Sequence, residues 1–338
     1  MPNKKTYLLI FLLICLCAFF FLDLIFGSVS IPFKNVWHAL TGHDSETNNQ
    51  IIQNIRLPKA ITAVLSGMAL SVCGILMQTL FRNPLAGPYV LGVNSGASLG
   101  VAFAMLSASF YGLKISGFFA DLRIVTAAVI GALTVMFLVM TVAKKIKNNT
   151  GLLLAGIMLG QMISSFQSLL EYFADPESLK SFVVWNMASI SNTTFSDLIL
   201  LAPLVCALCL LSLLIMKKLD VLLLGDDYAT SLGVNVKQLR LTIIIITGIL
   251  SGVTTAFCGP VAFIGIAIPH LSRLLLKTSL HKYIIPASLL MGPCIMLLCD
   301  IICQLPPNGV LLPLNVITSV IGAPVVLYLL LKNNKVIS

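Results

Sequence analysis

Lys217-Lys-Leu-Asp-Val-Leu-Leu-Leu-Gly-Asp-Asp-Tyr-Ala-Thr-Ser-Leu-Gly-Val-Asn-Val-Lys-Gln-Leu-Arg240 is a polar stretch between an apolar run that ends near Met216 and another that begins at Leu241. Its local signals predict one short helix over about Asp226 to Leu232. Asp226 and Asp227 suit a first helical turn, Gly233 suits the left-handed residue after the last turn, and Asn235 suits the cap of the next helix. About 24 residues are too few for a catalytic domain, yet they carry more order than a plain connector requires. Two readings stay open from the residues alone: a docking element, the more economical one, or an interfacial helix that covers the rest of the molecule.

Around this stretch the chain is almost entirely apolar. Its 338 residues are 58% hydrophobic and 10% charged, with a mean hydropathy of +1.01, beyond what a soluble core of this size needs. Apolar runs fall at about 6–26, 60–80, 88–109, 123–143, 151–174, 197–216, 241–258, 262–276, 284–304 and 313–331. Most reach the ~20 residues that a helix needs to cross a bilayer. The eighth is short and contains Pro269, which is expected to interrupt it.

Charge decides that the eighth run crosses. With ten spans and a cytoplasmic N-terminus, most of the 21 Lys and Arg fall on the cytoplasmic side, and Lys34, Arg56, Lys59, Lys114, Arg123 and Lys180 fall outside. Dropping one span would move Lys277, Lys282, Lys332 and Lys335 to the wrong side. The fold class is therefore an all-α integral membrane protein of about ten transmembrane helices. Both termini are cytoplasmic, and short helices lie in the cytoplasm between spans six and seven. Residues 1–338 read as one transmembrane domain, with the polar segment at about 217–240. The first run reads as an uncleaved span, and Ile31 to Leu40 as a short interfacial helix beside Trp37.

The net charge of +9 is mostly a topology signal, because the basic residues are scattered over short loops, and it gives nucleic-acid binding no support. All nine cysteines sit in or at the edge of apolar runs, where thiols act as small hydrophobes. No phosphate-binding loop, H-E-x-x-H or G-x-S-x-G motif appears, so ATP hydrolysis and the common intramembrane hydrolyses are not encoded in this chain. His270 reads as structural.

Two spans carry polar stripes. Gln161, Ser164, Ser165, Ser168, Glu171 and Tyr172 recur every three or four residues on the fifth span, and Asn315, Thr318, Ser319 and Gly322 do so on the tenth. Such faces avoid lipid, and they serve equally well as glue between helices or as the wall of a path. Glycines four apart on the third, fifth and seventh spans point to close helix packing. Asn83-Pro-Leu-Ala-Gly-Pro88 and Gly259-Pro260 link spans two to three and seven to eight, a faint echo of an inverted repeat. Asp23 and Asp300 are the candidate intramembrane carboxylates. A proton-coupled carrier working through Asp300 or Glu171 is the competing reading, although such carriers usually need more buried charge.

Six motifs, in order, resemble the FecCD family, the iron-chelate and cobalamin uptake permeases of bacterial ABC importers. They are Arg56-Leu-Pro-Lys59, Asn83 to Ala97, Leu152-Leu-Leu-Ala-Gly156, Gly225 to Val234, Gly259 to His270 and Gly322-Ala-Pro324. The resemblance implies a ten-span subunit of the bacterial cytoplasmic membrane, surrounded by lipid, that carries an iron-siderophore, haem or cobalamin by alternating access. Its implied partners are a second permease copy or paralogue, two ABC ATPase subunits that hold the ATP and Mg, and an extracytoplasmic binding protein. The chain itself is then neither an enzyme nor a cofactor binder. The resemblance assigns ATPase coupling to Gly225, Asp226, Asp227, Ala229, Leu232 and Gly233. It tilts Gln161, Ser164, Ser165, Ser168, Tyr172, Asn315, Thr318 and Ser319 towards a translocation path. It also gives Arg56 and Lys59, which on charge alone serve equally well as interfacial anchors, the docking of the binding protein. Gln304 and Leu311-Leu312-Pro313 depart from the family pattern near the outer mouth.

Overall fold

A bilayer offers no hydrogen-bond partner, so a chain this apolar has to pair its backbone groups within helices. The computed structural model describes residues 4–27, 31–40, 46–110, 118–146, 149–306 and 310–333. Lys114, Lys147 and Lys335, part of the charge pattern above, lie outside the described residues.

Among the described residues fifteen α-helices follow one another: α1 (Lys4–Ile25), α2 (Phe33–Leu40), α3 (Glu46–Ile51), α4 (Leu57–Leu80), α5 (Val93–Phe110), α6 (Phe118–Ala143), α7 (Asn149–Phe173), α8 (Pro176–Asn186), α9 (Phe195–Leu214), α10 (Met216–Leu222), α11 (Asp226–Ser231), α12 (Val236–Cys258), α13 (Ile264–Leu276), α14 (His281–Cys303) and α15 (Leu314–Asn333). A π-helical turn, Ile52–Arg56, joins α3 to α4. Among the described residues, seven helical stretches are long and apolar enough to cross a membrane. Three shorter apolar stretches, Val93–Leu106, Ile264–Leu276 and Leu314–Tyr328, correspond to the third, eighth and tenth runs. The short α2 buries Val36 and Ala39 and exposes Phe33 and Trp37, the pattern of an interfacial helix.

α4, α12 and α14 form the buried centre of the bundle, whereas α1, α7 and α9 leave most of their surface open. α4 packs on α14, α12 and α13, and α5 packs on α6. Small residues set these distances. A Cβ added at Gly100 would come within 2.1 Å of the Ala127 carbonyl oxygen, and one at Gly131 within 2.1 Å of that of Gly96. Side chains of any size at these crossings would separate the helices and forfeit their dispersion contacts.

Two expectations about boundaries are corrected. The third run does not start as a helix at Pro88, because residues 81–92 form a bend and helical structure begins at Val93, after Gly92 at φ 75°. Nor does Pro269 interrupt α13, which runs through it. The missing proline N–H releases the Gly265 carbonyl, and that oxygen lies where Gly74 of α4 lacks a side chain.

The bends at residues 81–92 and 259–263, the echo seen in the sequence, meet inside the bundle. Asn94 Nδ2 donates to the Val261 carbonyl (3.3 Å), Ser251 Oγ donates to Asn94 Oδ1 (2.9 Å), and Gln78 Nε2 donates to the Ile266 carbonyl (3.4 Å). His270 Nε2 bonds the Pro84 carbonyl at 3.0 Å, the structural role expected of it. Irregular backbone is tolerated at such depth because it is enclosed by protein, as buried Ala86 and Val261 attest.

Candidate functional site: an anchored polar segment and two polar faces

The predicted helix between Gly225 and Gly233 forms as α11. Gly225 stands before it at φ 121° and Gly233 after it at φ 78°, both in open space, so backbone conformation and not crowding calls for glycine. Gly233 N donates to the Thr230 carbonyl and Val234 N to that of Ala229, the hydrogen-bond pair that closes a helix with a left-handed residue. Asn235 Oδ1 then accepts from Gln238 N at 3.1 Å and caps α12.

The two acids of α11 part company. Asp226 turns inward, one oxygen 2.6 Å from Arg82 Nη2 at the end of α4 and the other 2.6 Å from Arg240 Nη2 on α12. Arg82 Nη2 also donates to the Leu222 carbonyl of α10 (3.1 Å). Asp227 is exposed. Ala229 is buried beneath the helix, while Leu224, Tyr228 and Leu232 are 63%, 60% and 57% exposed. Tyr228 and Leu232, four apart, share one face of α11 and its C-cap, and Leu224 stands just before Gly225, outside the helix.

α10 supplies a third tether. Asp220 Oδ1 accepts from the His281 backbone N (2.9 Å) and from its Nδ1 (2.6 Å), so the carboxylate closes the N-terminus of α14, where Leu280 provides no cap. His281 Nε2 meets Thr79 Oγ1 of α4 at 2.8 Å. Asp226 and Asp220 thus fasten the polar segment to the three most buried long helices, whereas Leu224, Tyr228 and Leu232 stay exposed among the described residues. Arg82, Arg240, Asp220 and His281 carry no motif signal of their own and became visible only through these contacts.

The two polar stripes are placed differently. On α7, Gln161, Ser165, Ser168 and Tyr172 are exposed and Ser164 is half-buried. A groove of about 280 Å³ runs between α7 and the start of α5, lined by Tyr89, Gly92, Ser95, Gly160, Gln161 and Ser164. On α15, Thr318 is fully buried and donates to the Asn315 carbonyl (3.2 Å), and Asn315 Oδ1 accepts from Ala262 N (3.2 Å). Asn315 therefore holds the second bend in place, Thr318 bonds back within α15, and Ser319 beside it is half-buried. Gly322 lies against Phe263, whose ring stacks on Tyr89 at 6.3 Å, so the bends bring one aromatic pair between the α7 and α15 regions.

The outward-facing cations expected at Arg56 and Lys59 are a correction. Lys59 is 4% exposed, with Nζ 2.6 Å from Asp300 and 3.7 Å from Asp23. Gln304 Nε2 donates to both carboxylates, at 2.8 Å to Asp300 and 3.2 Å to Asp23. Arg56, 5% exposed, donates to the Leu24 and Ile25 carbonyls at the C-terminus of α1 (2.7 and 2.9 Å), aimed there by the π-helical turn. Two buried acids on α1 and α14 draw these cations inward and join the helices, and Gln304 belongs to the same network. Glu171, the other carboxylate considered for proton coupling, accepts from Gln167 Nε2 at 2.9 Å on its own helix.

The profile of the FecCD transport family matches residues 13–332. The hemin transport system permease protein of Yersinia pestis is 33% identical over 310 residues, covering 91% of this chain and 90% of that protein. The vitamin B12 import system permease protein of Klebsiella pneumoniae is 33% identical over 329 residues, covering 96% and 91%. Among solved structures, an ABC transporter assigned to the metal-chelate type, in an inward-facing conformation, matches with a TM-score of 0.80 and 28% identity over 97% of this chain and 99% of that one. Family, relatives and fold converge over nearly the whole length: this multi-pass membrane chain belongs to the FecCD transport family of ABC transporter permeases.

Proposed function

We propose that this chain is the permease subunit of an ATP-driven importer that carries an iron chelate, or a related haem or cobalamin, across the bacterial cytoplasmic membrane. Ten spans with both termini in the cytoplasm would place α10 and α11 on the cytoplasmic side. There two ABC ATPase subunits, which hold ATP and Mg, would receive Leu224, Tyr228 and Leu232. A second permease, as copy or paralogue, would complete the passage, and an extracytoplasmic binding protein would deliver the substrate.

One observation carries the reading: the segment that offers an open apolar stripe is the same segment that Asp226 and Asp220 tie to α4, α12 and α14. Movement of an ATPase against α11 would pull on the centre of the bundle and on the bends that α4 and α12 lead into. The enclosed centre moves between discrete packings more readily than it deforms, which suits alternating access. The exposed serines and Gln161 of α7 would form one wall of the path, and Ser319 would mark the opposite wall.

Proteoliposomes holding the permease with its ATPase pair and binding protein test this directly. ATP-dependent accumulation of an iron-siderophore, haemin or cobalamin, abolished by vanadate, is the expected result. Uptake that ignores vanadate and collapses with a protonophore would instead support a proton-coupled carrier.

A further inference from the structure

α6 and α12 touch closely at Gly248 and Gly252, where added Cβ atoms would meet Leu133 at 2.4 Å and Val129 at 2.6 Å. Towards the α11 end the two helices splay into a cleft of about 950 Å³. Its inner walls are apolar, with Phe137 and Met140 on α6 facing Leu241 and Ile244 on α12. At its mouth stand Lys144, Lys237 and Arg240. Arg240 is held by Asp226, which also binds Arg82, whereas the exposed ammonium groups of Lys144 and Lys237 have no hydrogen-bond or ion-pair partner among the described residues. The cleft thus joins excess positive charge at the ends of the helices to a greasy slot, and the next residue on each helix, Leu138 and Ile245, is an exposed apolar side chain.

We propose that this cleft binds one anionic phospholipid, its phosphate on Lys144 and Lys237 and an acyl chain between α6 and α12. Charge complementarity selects the occupant. A soluble anion would leave the apolar walls wet, a zwitterionic lipid would bring its own cation to the lysines, and basic pockets between spanning helices favour acidic headgroups. The ligand would sit directly beside the Asp226 clamp, making it a lateral brace for the polar segment. The membrane-boundary location rests on the permease reading.

The test is native mass spectrometry of the full chain, purified alone and with its ATPase pair, after incubation with dioleoylphosphatidylglycerol, dioleoylphosphatidylcholine or inorganic phosphate. One phosphatidylglycerol retained per chain is expected, with no comparable retention of phosphatidylcholine or phosphate. The Lys144→Ala, Lys237→Ala double variant should retain it roughly thirtyfold more weakly, and the Lys→Arg pair should restore it. A Lys→Gln pair serves if the alanine pair does not purify as a single species. Equal retention of both lipids, or equal retention by wild type and double variant, overturns the proposal. Loss of ATPase binding with phosphatidylglycerol retention unchanged overturns it too, giving the surface to the ATPase while leaving the permease reading intact. Failure of every form to bind an ATPase would instead count against that reading.

Discussion

The bundle carries two clusters in which acids meet bases, and they are built in opposite senses. At the Lys59 cluster, cations that the sequence places beside the water are drawn inside by Asp23 and Asp300, and little of the group reaches solvent. At α11 Asp226 and its arginines form a half-exposed collar under the helix, and two leucines and a tyrosine stand exposed beyond it beside Asp227. Polarity alone therefore does not give the direction a residue faces. What decides is whether a neighbouring helix supplies a partner: α1 and α14 each bring a carboxylate to Lys59, whereas nothing among the described residues covers Leu224, Tyr228 and Leu232. One cluster locks helices together and the other leaves a surface to be filled.

The difference can be broken most forcefully at Lys59. Lys59→Ala strands two buried carboxylates and should cost about 3 to 5 kcal/mol, read as a large fall in the thermal stability of the purified chain, with partial recovery on adding Asp300→Asn. Unchanged stability would mean that Lys59 faces outward after all. At the other end, Leu232→Asp or Tyr228→Asp should leave stability alone yet weaken ATPase binding by about tenfold or more, as loss of an interface anchor does; co-purification reads this out, and an intact complex would reject the stripe as a docking surface. Bulky substitution sharpens the contrast between stripes. Ser168→Trp should block uptake with the complex assembled, whereas Thr318→Trp should lower stability first, because Thr318 has no space around it. The smallest effect belongs to Gly233→Ala, roughly 1 kcal/mol of local strain at a left-handed position, seen as faster hydrogen exchange across α11.

Much of this architecture was legible in the sequence because it follows from local rules. Apolar run length marked the long helices, and acids, glycine and asparagine at fixed offsets marked α11 and the cap of α12. The two Gly-Pro links stood out in the sequence only as a faint echo, and the structure shows them as bends that brace each other. Long-range pairing was not legible. Nothing in the chain's order says that Arg82 and Arg240 share Asp226, that Asp220 caps α14 sixty-one residues away, or that Asp23 reaches Lys59. The Arg56-Leu-Pro-Lys59 motif was visible, but the inward turn of its cations depends on a π-helical turn and on carboxylates from two distant helices. On α15 the polar residues had the right period for a stripe, yet period cannot tell a wall from a clamp on the Ala262 backbone.

Transmission of α11 movement through Asp226 and Asp220 is tested most directly by the number of substrate molecules imported per ATP hydrolysed, in proteoliposomes carrying Asp226→Ala with Asp220→Ala. Asp226 and its two partners are each about a third or more exposed, so its loss should cost at most about 1 kcal/mol of stability, and the ATPase should still bind through the apolar stripe. The expected result is continued hydrolysis with import per ATP lowered by about tenfold, a loss of coupling of roughly 1.4 kcal/mol. An unchanged ratio, with the complex intact, would contradict the view that these tethers carry the ATPase's motion into the bundle.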